Sequence, residues 1–230
     1  VTAAIVREDG ADKIELEEAY IESLDGASFV NNTFFKLGRA FWNVAALNPQ
    51  HSHADDFADR PLPYRVFLNK AYNDDGFEAS YLLGSSEIGF GIFRGEDFPF
   101  GNVTANEGEG SQAWSIYYKS NFNMSNTEEI AFNLYHLSGE SPEFNERVST
   151  EDNVSFEGDS DLSVVSIDYS NLYGSDSKFK FSAEYFYRNQ EGIFEDAEES
   201  TGKVSFDDSD SGYYIALVNQ FNDHVSAGFR

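Results

Sequence analysis

A chain of 230 residues with 40% hydrophobic and 16% aromatic content can bury a core in one or two domains, which excludes a disordered polymer. Its formal net charge of −26 excludes nucleic acid and bare anionic surfaces as partners, because both need basic patches. It has no cysteine, so disulfide frameworks and thiolate metal centres are excluded as well.

The first ten residues, VTAAIVREDG, lack the basic start and apolar core of a secretory signal, so the chain reads as mature or trimmed. With 22 Phe and 13 Tyr against a single Met, the composition favours strands over helices. Apolar and polar residues alternate over 13–24, 28–45, 77–84, 87–94, 112–124, 128–138, 161–173, 178–189, 210–221 and 224–230, which predicts about ten strands. In 28–45 neither parity keeps both Lys36 and Arg39 off the apolar face without a bulge. In 178–189 the apolar parity holds Phe179, Phe181, Ala183, Tyr185 and Tyr187, while Lys178, Lys180, Ser182, Glu184 and Arg188 share the other. Ile88, Phe90 and Ile92 repeat the pattern, as do Trp114, Ile116 and Tyr118, then Val165 and Ile167, then Tyr213, Ile215 and Leu217. Aromatics stand at the ends of nearly every apolar face, as interfacial girdles do.

Short turns (DGA, GSS, SNT, GSDS, ND) alternate with four long stretches, 46–76, 94–112, 138–161 and 190–211, which hold 25 of the 41 acidic residues. No apolar run approaches the roughly 18 residues of a membrane-spanning helix, so a membrane crossing requires a closed barrel. The predicted fold is therefore an all-β, antiparallel, transmembrane up-and-down β-barrel in one domain over 1–230, with short periplasmic turns and long, acidic extracellular loops. The competing fold is a large soluble β-sandwich or β-helix, which leaves the loop asymmetry unexplained. On this topology segment 13–24 runs inward and 224–230 runs outward and is short, which predicts a part of a larger barrel, incomplete at both ends. In such a barrel the polar face lines the lumen, with Lys119, Lys178, Lys180 and Arg188 as its basic residues.

The first long stretch, NPQHSHADDFADRPLPYRVFLNKAYNDDG, carries the most specific chemistry. His51 and His53 are one residue apart, with Asp55, Asp56 and Asp59 close behind, and two imidazoles with carboxylates suit Zn²⁺. The alternative is a hydrogen-bonded loop cap in which Arg60 and Arg65 take the aspartates. Pro61 and Pro63 stiffen the segment, which predicts a loop folded over the barrel mouth. His136 shares the parity of Ile130, Phe132 and Leu134 and reads as an interfacial histidine, and His224 falls in a short turn. The acid excess elsewhere reads as solubility in a salty habitat, or as cation attraction and calcium bridging to lipopolysaccharide.

HSHADDFADRPLPYRVFLNKAYNDDG, preceded by FFKLGRAFWNVAALN, resembles zinc-regulated, TonB-dependent-receptor-like or porin-like outer-membrane proteins of Gram-negative bacteria, over about 15–95. The resemblance implies a barrel made under zinc limitation that passes zinc or a zinc complex, with His51, His53 and Asp55 or Asp56 as its ligands.

Catalytic signatures are absent from the sequence: no Gly-x-Ser-x-Gly, no His-Glu-x-x-His, and no lysine in EGEGSQ at 107–112 for a phosphate loop. The expected function is not enzymatic. It is a porin-like or receptor-like passage for small solutes or metal ions, with zinc or calcium at the outer loops. The alternative is a surface structural or recognition barrel for adhesion, assembly or phage attachment. Outer-membrane lipid, lipopolysaccharide, a surface protein or further copies of the chain are the partners either reading calls for.

Overall fold

The computed structural model describes residues 2–8, 11–23, 30–96, 98–100, 113–146, 154–196 and 202–230. Eleven strands follow in chain order: β1 (Thr2–Glu8), β2 (Ala11–Glu22), β3 (Thr33–Phe41), β4 (Asn73–Leu83), β5 (Ser86–Phe93), β6 (Ala113–Asn123), β7 (Glu128–Glu146), β8 (Val154–Leu172), β9 (Lys178–Asp196), β10 (Val204–Asn222) and β11 (Val225–Phe229). Each lies antiparallel beside the next, so the chain is an all-β up-and-down meander, as the alternation predicts. β2 is shared, its first part up to Glu18 lying against β1 and 19–22 against β3, so that β2 to β11 form a continuous ten-strand sheet with β1 hairpinned onto one edge. Among the described residues no pairing joins β11 to β1 or β2, and the sheet is open.

Three boundaries differ from expectation. β1 is an additional strand, which alternation does not reveal because Ala3, Ala4, Ile5 and Val6 are apolar in succession. It precedes β2 and pairs with it antiparallel. The stretches 138–161 and 190–211, expected as loops, are mostly strand: the β8–β9 ladder runs on from Leu172↔Lys178 to Val154↔Asp196. A strand is held by its backbone ladder, and a stretch polar on both faces carries no apolar period to betray it. The link between β3 and β4 spans 42–72 rather than 46–76, whereas that between β5 and β6 spans 94–112 as expected. The DGA turn lies outside the described residues.

The faces follow the parity. Ile88, Phe90, Ile92, Ile116, Tyr185, Tyr213 and Ile215 stand exposed on one side. The other side buries Glu78, Ser115, Asn133, Ser166, Glu184, Arg188 and Gln190. The register aligns Glu87, Lys119, Asn133, Ser166, Glu184 and Tyr214 across six strands as one polar belt on that inner face. β3 needs no bulge towards β4: Lys36 points inward over the Tyr20 ring, and Arg39 points outward but sits near the strand end, paired with Asp75 at 3.3 Å.

The 42–72 segment folds back onto the inner face. Trp42, Val44, Ala45, Tyr64, Phe67, Leu68 and Tyr72 form the core with Phe93, Tyr117, Tyr135, Leu137, Leu162, Val164 and Phe186 of the strands. Each of these larger side chains contributes about 1.5–3 kcal/mol by leaving water. Gly89 makes room for one of them, since a Cβ there would stand 2.2 Å from the Tyr117 ring. The segment also reports the curvature. His51 reaches Glu18 of β2 while Asp59 reaches Arg230 just beyond β11. Eight residues span at most about 28 Å, whereas a flat ten-strand sheet would hold its edges about 43 Å apart. The sheet is rolled around its loop.

Candidate functional site

The site is built by the 42–72 loop inside the rolled sheet. Asn48, fully buried, ties the two ends of the loop together: its amide donates to Trp42 O (2.7 Å) and Tyr72 O (2.9 Å), and its carbonyl accepts from Tyr72 N (2.7 Å). The Trp42 indole donates to Asp74 O, and the Tyr72 hydroxyl to the Asp74 carboxylate. Pro61 and Pro63 start the short helix α1 (Leu62–Phe67), where proline costs no hydrogen bond. That helix turns Tyr64 and Phe67 onto Phe186 of β9, with ring centroids 5.1 and 5.9 Å away.

Glu184 of β9 is the deepest anchor. Its carboxylate accepts from the Tyr64 hydroxyl (2.8 and 3.0 Å), from Ala46 N (3.1 Å) and from the Tyr214 hydroxyl. The Tyr64 oxygen in turn accepts from Leu47 N at 2.7 Å. Burial, reinforced by the Glu184 charge, pushes the Tyr64 phenol well above its ordinary value, so it stays a proton donor. A second network joins Asn43 of the loop to Glu78 and Lys119, with Tyr117 donating to Glu87 at 2.8 Å.

The residues singled out from the sequence are placed separately. His51 Nε2 meets Glu18 at 2.8 Å and its ring lies 5.4 Å from that of His53, which is exposed. Asp55 is turned inward onto Arg60 at 3.0 Å, and burial raises its pKa above the usual value against the opposing pull of Arg60. Arg60 also donates to Lys70 O and Gln50 O. Asp56 pairs with Lys180 at 2.9 Å. The two imidazoles are therefore together, but the two carboxylates are each engaged by a cation. Among the described residues no three His, Asp or Glu side chains converge on a point that would hold a metal ion. All four basic residues assigned to the lumen lie on the inner face: Lys119 against Asn43, Lys180 on Asp56, Lys178 in the same small hollow as Lys180, and Arg188 over Phe67 with Asp210 at 2.7 Å. His136 lies on the outer face, its ring 5.2 Å from Trp114 and its Nδ1 3.0 Å from Ser163 Oγ.

Asn48, Tyr64, Glu184 and Tyr214 were not singled out. Glu184 carried the one available signal, a carboxylate on the inner parity of a strand whose neighbour there is Ser182. Below the loop, towards the short turns, the interior opens into a polar chamber of about 540 Å³ between Gln50 and Leu47 of the loop and the strand ends at Ser86, Lys119, Asn123 and Asp168. No family model matches the chain, and neither a curated protein nor a solved structure does. Its function must be read from its own geometry.

Proposed function

We propose that the chain is an outer-membrane protein whose sheet meets lipid with its apolar face and whose interior is occluded by the 42–72 loop, serving as a surface structural or recognition barrel rather than an open porin. The observation that carries this reading is the inverted polarity of the sheet: Trp114, Ile116, Tyr185 and Ile215 are exposed while Ser115, Asn133, Ser166 and Glu184 are buried. A water-soluble sheet hides its apolar face, and exposed apolar surface of this extent marks contact with lipid or a partner. From Phe179 to Tyr187 on β9 the apolar parity persists for nine residues, or about 26 Å of strand at ~3.3 Å each, and on β10 Tyr213, Ile215, Leu217 and Phe221 follow it with only Asn219 interposed. A tilted strand crosses an outer membrane in about 9–11 residues. The polar, acid-rich extensions of β7 to β10 beyond that stretch would then stand in the outer medium, where calcium could bridge them to lipopolysaccharide.

Occlusion is supported by the core formed between Tyr64, Phe67 and Trp42 and the strand wall, which fills the long-loop half of the interior with aromatic side chains. Passage of small solutes or metal ions is the second reading, favoured by the polar belt and the chamber below the loop, and it requires the loop to withdraw. Planar-bilayer recording separates the two. The wild type should give no steady conductance, and a variant with 49–71 replaced by a Gly/Ser linker should conduct in discrete steps; steady conductance from the wild type would overturn occlusion.

Zinc at His51 and His53 is a separate proposal, supported by the adjacent imidazoles. Calorimetry should give weak binding that is lost in His51→Ala/His53→Ala, and equal heats in the two proteins would remove the site.

A further inference from the structure

We propose that the polar chamber at the short-turn end is a binding site for a small organic dication, two ammonium groups on a short aliphatic spacer. This goes beyond the membrane reading and does not depend on it, since the chamber is lined by the inner face and the loop alone.

Tyr135 is the first observation. It is 5% exposed, lies over Tyr117 with ring centroids 6.4 Å apart, lines the chamber, and among the described residues its hydroxyl has no hydrogen-bond partner. That oxygen opens onto the chamber, where it is available to a group that arrives there. Its charged neighbours are Glu184, Asp168 and Glu87, all of one sign. An incoming cation satisfies both the phenol oxygen, as acceptor, and the surrounding charge.

The charge balance of the wall is the second. Glu87, Glu129 and Asp168 face the chamber against one cation, Lys119, whose ammonium already donates to Asn43. Among the described residues no cation pairs with Asp168, whose carboxylate is met only by the hydroxyls of Ser182 and Ser166. The spacing selects the kind of cation. Glu87 and Asp168 belong to β5 and β8, three strand spacings apart, or about 14 Å along the sheet. Among the described residues no three such groups converge to hold a metal ion, whereas carboxylates on separate strands of the chamber wall suit the two ends of a diammonium ion, and the amides of Asn121, Asn133 and Gln50 line the same chamber.

Calorimetric titration of the full chain, in whichever medium keeps it dispersed, with putrescine, succinate and butanediol as probes tests this. Putrescine should bind, succinate and butanediol should not, and the affinity should fall as salt is raised. Asp168→Asn should weaken putrescine by about tenfold and Tyr135→Phe by a smaller factor, both with unchanged circular dichroism. Glu87→Gln provides the same test if Asp168→Asn fails to fold. Absence of putrescine binding, equal affinity in the variants, or tighter binding of succinate would overturn the proposal.

Discussion

Asn48 is the residue on which the loop's position most depends. It is fully buried, and its three hydrogen bonds close the 42–72 segment at its base. Asn48→Ala strands two backbone carbonyls and one N–H inside the core, at about 1–3 kcal/mol each. The expected result is a fall of roughly 3 kcal/mol in unfolding free energy, with red-shifted Trp42 emission as the loop loosens; an unchanged urea midpoint would show that the rest of the core holds the loop without it. The neighbouring chemistry was only partly legible in the sequence. His-x-His followed by aspartates was visible as a cluster, yet Asp55 and Asp56 are separated by partners at different distances along the chain, Arg60 five residues on and Lys180 on β9. The first pairing was foreseeable as a local alternative, but the second exists only because the sheet rolls the loop against β9. Glu184, Tyr64 and Tyr214 meet across three elements for the same reason.

At the scale of elements, parity identified the outer and inner faces of β5, β6, β8, β9 and β10 because each alternates apolar with polar side chains. It failed where that contrast ends. β7 to β10 continue through Ser, Asp, Gly and Gln residues as ladders whose side chains give no period, and the expected loops 138–161 and 190–211 shrink accordingly. Hydrogen exchange distinguishes ladder from loop: amides in 156–161 and 190–195 should be protected like those of 164–170, and exchange at the rate of an unstructured peptide would return these stretches to loops. The 42–72 loop is the converse case. Its prolines and aromatics signalled a folded segment, but its destination inside the sheet, rather than across the mouth, follows from the contacts of Tyr64 and Ala46 with Glu184.

The whole molecule is an open sheet rolled round its own loop, apolar without and polar within. Its two tryptophans sample those environments: Trp42 is fully buried in the core, and Trp114 is 39% exposed on the outer face. On the proposed membrane reading, the short-turn and long-loop ends give that arrangement a direction, with the acid-rich extensions standing in water at the long-loop end. The most direct measurement is quenching by vesicle lipids brominated in their acyl chains, using Trp42→Phe to isolate Trp114 and Trp114→Phe to isolate Trp42. The inverted polarity predicts strong quenching of Trp114 and little change at Trp42; unquenched Trp114 emission from protein mixed with such vesicles would contradict the membrane assignment.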